Sequence, residues 1–200
     1  KNYGLNPLRD RSLKKIKILD VGCGGGLISE PMAKLGAQIE GIDADVDSIK
    51  IAKEHARKEN LKIKYTNENL DMLIADNFRK FDVIFALEVL EHVDYPDDFL
   101  SKIASLTKEN GLVFVSSINK NIKSLLLAKY LAEYVLNWVP RGTHDWNKFI
   151  NPSDLEKMMF KNSFELISCK GIIFNPMTLS WKIGKDTSIN YITAFKHGSI

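Results

Sequence analysis

The chain has 200 residues, 44% of them hydrophobic and 26% charged, with a formal net charge of +3. These values are typical of one globular domain with a sizeable core, and the charge is too small to argue for nucleic acid as a partner. No apolar run reaches the ~18–20 uncharged residues of a spanning helix, and the N-terminus has no signal-peptide pattern. The chain has only two cysteines, Cys23 and Cys169, which argues against a disulfide framework or a zinc site and favours a reducing compartment. The chain begins with Lys1 rather than Met, so we expect N-terminal sequence to be missing.

Apolar runs alternate with amphipathic stretches along the chain, a pattern that predicts an α/β protein with a mostly parallel sheet. Seven strands are predicted: Ile16–Val21, Gln38–Ile42, Ile63–Thr66, Phe81–Leu87, Leu112–Ser117, Phe164–Lys170 and Asn190–Lys196. Helices are predicted at Leu27–Leu35, Asp47–Lys58, Pro96–Thr107 and after the cap Asn151. We expect a single domain over residues 1–200, with an inserted amphipathic segment at about 119–146.

A glycine-rich loop follows the first predicted strand, in the stretch Asp20-Val21-Gly22-Cys23-Gly24-Gly25-Gly26. Open α/β sheets bind ligands at this position, and glycine lets a ligand approach the backbone closely. The dinucleotide fingerprint G-x-G-x-x-G fails in both registers, because Leu27 and Ser29 stand where its third glycine is required. The D-x-G-x-G-x-G form resembles motif I of the class I S-adenosylmethionine methyltransferases. The alternative is a tight turn without a ligand.

Acidic and amide side chains follow the next two strands. Asp43 ends the second strand, where a carboxylate can accept hydrogen bonds from both ribose hydroxyls of a nucleoside. The third strand is followed by Asn67, Glu68 and Asn69. One of these side chains could reach the adenine edge, and we choose Asn67 as the candidate. The alternative for this trio is a solvated helix start. Leu87 closes the fourth strand and could pack on the adenine or the methionine portion.

Several longer stretches are similar to one family. They are "FDVIFALEVLEHV" at 81–93, "VPRGTHDWNKFINPSDL" at 139–155, "NPLR" at 6–9 and "GIIFNPMTLSWKIG" at 171–184. Together they resemble the ubiquinone-biosynthesis O-methyltransferases, over nearly the whole chain. The resemblance implies a Rossmann-like class I methyltransferase fold with a mostly parallel seven-stranded sheet and helices on both faces.

The same resemblance implies the ligands and the place of action. The cofactor would be S-adenosylmethionine and the acceptor a polyprenylated catechol. By this resemblance, donor contacts would come from Arg9, Gly22, Asp43 and Leu87, the last often methionine in the family. The glycine motif and the end of the third strand add Asp20, Gly24, Gly26 and Asn67 to the predicted donor site. The enzyme would work in the cytoplasm or mitochondrial matrix, peripheral to the inner membrane, beside other ubiquinone-biosynthesis enzymes.

The chemistry needs a base or a metal, because a phenol with a pKa near ~10 costs roughly 4 kcal/mol to ionise at pH 7. Glu88, Glu91 and His92 have the spacing of one helical face and could hold Mg²⁺, to which the resemblance also points. In the alternative, the acid caps a turn, and His92 packs or acts as the base. His144 in "GTHDW" is a second candidate base. The predicted catalytic residues are therefore His92, His144 and Glu91.

The segment Ile122–Val139 has 13 apolar residues in 18, with Lys129, Glu133 and Asn137 forming one narrow polar stripe. Such a helix could lie in a bilayer interface, where a polyprenyl acceptor would be found. The alternative is a helix packed on the core or on a second subunit. Two rival functions stay open: a methyltransferase acting on carbon or nitrogen, and a donor-binding subunit without turnover.

Overall fold

The computed structural model describes residues 13–75, 79–120, 148–175, 177–178 and 180–198. The described strands are β1 (Lys17–Val21), β2 (Gln38–Ile42), β3 (Lys64–Thr66), β4 (Phe81–Leu87), β5 (Thr107–Ile118), β6 (Phe164–Asn175), β7 (Ser180–Gly184) and β8 (Asn190–His197). The described helices are α1 (Ser29–Lys34), α2 (Val46–Lys58), α3 (Leu70–Ala75), α4 (Pro96–Leu106) and α5 (Pro152–Lys161), with a 3₁₀ turn at Leu90–His92. Apart from Asn119 and Lys120, the predicted insertion at 119–146 lies outside the described residues.

The strands form one mixed sheet in the order β3-β2-β1-β4-β5-β8-β6-β7. The first five strands pair in parallel, whereas β8, β6 and β7 pair antiparallel with their neighbours. The seven predicted strands are all present, but the sheet has eight strands among the described residues rather than seven. The additional strand is β7, and the short α3 was also not predicted.

Helices cover both faces of the sheet, as predicted. On one face Leu100 and Ile103 of α4 and Leu155 of α5 pack with Ile84 and Val113 of the sheet, all of them 0% exposed. On the other face α1 and its flanks cover an apolar group that includes Ile18, Ile39 and Phe85. The central strands therefore have few polar positions, which is why they read as continuous apolar runs in the sequence.

The parallel strands β1, β2 and β4 end at one edge of the sheet. Val21 lies level with Ile42 on one side and with Ala86 on the other. Leu87 lies level with Ser116, so the last residues of β5 pass slightly beyond β4. The loops that carry the predicted site residues all leave the sheet at this carboxyl edge, where open α/β sheets bind their ligands.

The connection from β7 to β8 crosses over β6. A Cβ atom at Gly171 would overlap the main-chain carbonyl of Asp186, so glycine is required where the chain passes. Asn119 joins the end of β5 to this connection, because its side-chain amide donates to the carbonyl oxygen of Thr187 at 2.9 Å. Within the described residues, no helix is long and apolar enough to cross a membrane.

Candidate active site

The glycine-rich loop turns back immediately after β1. The main-chain N–H groups of Gly22 and Cys23 both donate to the carbonyl oxygen of Ile42, at 2.9 and 3.1 Å. Gly22, Gly24 and Gly26 have φ angles of +67°, +50° and +89°, in the left-handed region that favours glycine. The three spaced glycines of the motif are therefore required by the backbone path.

The three glycines have different surroundings. A Cβ atom at Gly22 would overlap Cγ2 of Val89, and one at Gly26 would overlap the hydroxyl of Tyr65. At Gly24 a Cβ atom would meet nothing within 4 Å. Gly22 and Gly26 thus allow close packing within the protein, whereas Gly24 leaves open space from which a ligand can approach the backbone.

Asp43 lies beside this open position. Its Oδ2 accepts a hydrogen bond of 2.8 Å from the N–H of Gly24, and its Oδ1 accepts one of 2.8 Å from the N–H of Asp45. The carboxylate is thereby held in one orientation at the end of β2. A carboxylate has about four lone-pair sites, so it keeps acceptor capacity for two ribose hydroxyls.

Asn67 has a different place from the one predicted. Its side-chain amide donates to the carbonyl oxygens of Asp43, at 2.8 Å, and Ala44, at 2.9 Å. Asn67 therefore contacts the main chain of Asp43 and Ala44. Its neighbours Glu68 and Asn69 line a cavity at the carboxyl edge of the sheet, and Asn67 does not. Asn69 also caps α3, since its Oδ1 accepts the N–H of Met72 at 3.0 Å.

Asp20 is buried under the loop and is absent from the cavity lining. Its Oδ2 accepts a hydrogen bond of 2.6 Å from the hydroxyl of Ser29, at the first residue of α1. Burial raises the pKa of Asp20 to about 6, against the hydrogen bonds from Ser29, which lower it. Burial likewise raises the pKa of the Cys23 thiol to about 12, so Cys23 acts as a small apolar side chain.

A cavity of about 560 Å³ opens at the carboxyl edge, a size suited to a cofactor. Its walls come from the ends of β1, β2 and β4 and from the starts of α3 and α4. Of the predicted donor residues, Gly22 and Asp43 line it, whereas Gly24, Gly26 and Leu87 do not; Val89 is one of the apolar side chains at its wall. Glu88 has a φ of +54°, which redirects the chain after β4 and brings Val89 to the cavity.

Glu88, Glu91 and His92 do not form the predicted three-ligand group. Glu88 precedes the 3₁₀ turn in a left-handed conformation, so the three side chains do not share one helical face. Oε1 of Glu88 accepts the hydroxyl of Ser116 at 2.5 Å, and Oε2 of the buried Glu91 accepts that of Ser117 at 3.0 Å.

Within the part of the chain that the structure describes, no group of three or more His, Cys, Asp or Glu side chains could hold a metal ion. Burial raises the pKa of the Glu91 carboxyl, against the hydrogen bond from Ser117, which lowers it. The residues as arranged thus do not fit the predicted magnesium triad.

Of the predicted bases, His92 lies in the cavity wall together with Glu88, and it is the exposed residue of a turn whose Leu90 and Glu91 are buried. His144 and the predicted donor contact Arg9 are outside the described residues. The arrangement combines the glycine backbone at Gly22, an oriented carboxylate and an imidazole around one cavity. With the fold, it defines a class I S-adenosylmethionine-dependent methyltransferase.

Comparisons with known proteins agree with this class. The family model for a methyltransferase domain matches residues 4–169. Among solved structures, the magnesium protoporphyrin IX methyltransferase of Synechocystis PCC 6803 with bound SAH superposes with a TM-score of 0.68. It is 20% identical over 93% of this chain and 75% of that one. A methyltransferase from Methanosarcina mazei gives 0.70 at 18% identity, covering 94% of each chain. At these identities the likeness shows the fold alone.

Curated relatives are more specific. A ubiquinone biosynthesis O-methyltransferase from Pelagibacter ubique is 48% identical over 93% of this chain and 77% of its own length. One from Azorhizobium caulinodans is 42% identical over 98% of this chain and 77% of its own length. The chain belongs to the ubiquinone biosynthesis O-methyltransferase family, which the sequence motifs predicted.

Proposed function

We propose that this enzyme transfers the methyl group of S-adenosylmethionine to a phenolic hydroxyl of a polyprenylated catechol or demethylubiquinol. The observation that carries the proposal is that Asp43 and His92 line the same cavity, at the carboxyl edge of a methyltransferase sheet. Family membership supports the acceptor class, since the relatives are ubiquinone biosynthesis O-methyltransferases.

In this proposal the donor lies along the glycine loop. Gly22, Asp43 and Val89 line the cavity, and the neighbouring backbone at Gly24 is open. Asp43 accepts hydrogen bonds from the ribose hydroxyls, and Val89 packs on an apolar portion of the donor. Glu68 and Asn69 are the candidates for the adenine edge, because they line the cavity beyond Asp43. The positions of Asp20 and Asn67 favour a supporting role, in which they hold the loop and the acid in place.

The acceptor oxygen must lose its proton before it attacks the sulfonium methyl carbon. Ionising the phenol costs roughly 4 kcal/mol at pH 7, and a positioned base removes part of that cost. His92 takes the proton in this proposal, and His144 stays the second candidate. The carbon–oxygen bond forms as the carbon–sulfur bond breaks, so the sulfur departs as a neutral thioether.

Magnesium has no step in this mechanism, because the predicted triad is not assembled among the residues that the structure describes. Whether the reaction requires Mg²⁺ is left to experiment, since a metal bound to both catechol oxygens would also lower the phenol pKa.

Peripheral contact with the membrane is a further part of the proposal. A polyprenyl tail partitions into lipid, and residues 119–146 have the composition of an interfacial helix.

The test is methyl transfer from labelled S-adenosylmethionine to a short-tailed prenyl catechol in detergent, with Mg²⁺ and again with chelator. Label in the acceptor that survives chelation supports a histidine base, and loss of at least about 100-fold in His92→Ala would assign it. Label that vanishes with chelator would move the chemistry to a metal. If donor binding were intact but no acceptor were labelled, the protein would be a donor-binding subunit and the proposal would be wrong.

A further inference from the structure

The hairpin of β6 and β7 exposes apolar side chains that the proposed chemistry does not use. Trp181 is 59% exposed, Ile183 61% and Met177, in the turn between the strands, 93%. Ile183 pairs with Ile172 and Trp181 with Phe174, so these four side chains lie on one face. The rings of Phe174 and Trp181 are in contact, with centroids 4.8 Å apart.

Between Glu165, at the start of β6, and Asp186, which follows Lys185, the charge of the hairpin is of one sign. From Leu166 to Lys185 the sequence has no Asp or Glu and three lysines, Lys170, Lys182 and Lys185. All three are exposed, and none forms an ion pair with another described residue. These 20 residues carry a charge of +3, equal to the net charge of the whole chain.

The hairpin turn lies at the same edge of the sheet as the cavity. Ile118 of β5, Asn190 of β8 and Ile172 of β6 are level with one another, and β6 runs parallel to β5. The last three residues of β6 continue past this level to Asn175. At about 3.3 Å per residue, β6 therefore extends roughly 10 Å further. The exposed turn therefore projects from the edge at which the acceptor has to enter.

Protection of a sheet edge does not account for these features. A lysine such as Lys182 on an edge strand discourages pairing with another chain, but exposed Trp and Ile beside it have the opposite effect. Tryptophan with flanking lysines is the combination found where proteins contact the headgroup region of bilayers.

We propose that the β6–β7 hairpin is a docking surface for an anionic phospholipid bilayer. Trp181, Ile183 and Met177 enter the interface, while Lys182 and Lys185 contact the headgroups. The inference rests on the proposed function in one respect: a docked hairpin places the mouth of the cavity toward the lipid that holds a prenylated acceptor.

The experiment measures sedimentation of the full chain with phosphatidylcholine vesicles, with and without phosphatidylglycerol. We expect partitioning to depend on the anionic lipid. It should fall about tenfold in Trp181→Ser/Ile183→Ser and at least about 25-fold in Lys182→Glu/Lys185→Glu. Matched controls change exposed residues elsewhere: Phe160→Ser on α5, and Lys53→Glu/Lys62→Glu on and after α2. The controls should partition like the parent chain.

Two further measurements separate the possible failures. Affinity for S-adenosylhomocysteine should be unchanged in every hairpin variant, which shows that the fold is intact. Methylation of a water-soluble catechol should also be unchanged, whereas methylation of a prenylated catechol in anionic vesicles should fall with partitioning. An enzyme without methyl transfer would contradict the proposed function, yet its vesicle binding would still test the hairpin.

Equal partitioning of hairpin and control variants would overturn the inference. So would failure of the parent chain to bind anionic vesicles. A parent chain that is dimeric by light scattering and becomes monomeric in Trp181→Ser/Ile183→Ser would assign the surface to a second copy of the chain instead.

Discussion

The main-chain N–H of Gly24 donates a hydrogen bond of 2.8 Å to Oδ2 of Asp43, and so joins the glycine loop to the end of β2. The two residues are 19 positions apart, but β1 and β2 pair in parallel and end side by side. The acid and the loop therefore form one unit, in which a carboxylate oriented by the N–H groups of Gly24 and Asp45 lines the cavity. This is the arrangement that a ribose with two free hydroxyls requires.

The first prediction concerns Asp43. Asp43→Ala should weaken binding of S-adenosylhomocysteine by about 100-fold, because hydrogen bonds to a charged acceptor are lost. Asp43→Asn keeps one acceptor oxygen and should lose less. Isothermal titration calorimetry measures both. A dissociation constant within threefold of the parent value in Asp43→Ala would contradict the assignment of the ribose to this carboxylate.

Asn67 should influence donor binding without touching the donor. Its amide holds the carbonyl oxygens of Asp43 and Ala44, so Asn67→Ala should free this backbone and reduce donor affinity by about 5–10-fold. Asn67→Asp should be worse, since a carboxylate would face two carbonyl oxygens.

The readout for Asn67 is the KM for S-adenosylmethionine against kcat at saturating donor. We expect KM to rise and kcat to stay within twofold. The opposite pattern, with kcat lowered and donor affinity kept, would place Asn67 in contact with the reacting groups.

Much of the fold could be predicted because its central strands are buried on both faces. Continuous apolar runs such as 83–87 are typical of strands that helices cover on both faces. β7 was not predictable in the same way. It has five residues, most of them exposed, so neither alternation nor an apolar run marks it. The six-residue α3 is similarly too short for a helical period to stand out.

The candidate site was predictable at positions where the backbone conformation or the place at a strand end requires one type of residue. Glycines at positive φ and an acid at a strand end belong to this group. Val89 was not found, because its position depends on the left-handed turn at Glu88, which no neighbouring residue type indicates. The metal triad was expected from an i, i+3, i+4 spacing, and that spacing places side chains on one face only if the segment is helical throughout.

Two glycines of the loop should respond differently to alanine. Gly22→Ala adds a Cβ that overlaps Val89 and also strains a φ of +67°, so it should lower the free energy of unfolding by about 2–5 kcal/mol. Gly24→Ala meets no protein atom and should cost only about 1–2 kcal/mol. Urea denaturation gives both values.

Donor affinity should distinguish Gly22→Ala from Gly24→Ala in the opposite way from stability. Gly24→Ala fills the space through which the ligand approaches, so its affinity for S-adenosylhomocysteine should fall well beyond its loss of stability. A Gly24→Ala variant that is destabilised as much as Gly22→Ala but binds normally would show that the open space is not the donor site.

The last prediction concerns the buried Asp20, whose pKa is raised by burial to about 6 from an ordinary value near 3.8. Well below pH 4 the group is protonated in both the folded and the unfolded chain, and it contributes nothing to the pH dependence. Between about pH 4 and 6 the unfolded chain ionises first, so the folded state binds more protons and loses stability as the pH rises. Above about pH 6 the full cost of the buried charge is present, up to about 3 kcal/mol.

Asp20→Asn removes this titration but keeps an oxygen that accepts the hydroxyl of Ser29. The stability of the variant relative to the parent chain should therefore rise by up to about 3 kcal/mol from pH 4 to pH 6.5 and stay level above. Any fixed cost of the new amide shifts the whole curve without changing its slope. Urea unfolding at half-unit pH steps measures the difference. A difference that stays flat across this range would mean that Asp20 ionises normally in the folded protein. The predicted rise of the stability difference between pH 4 and pH 6.5 would then be wrong.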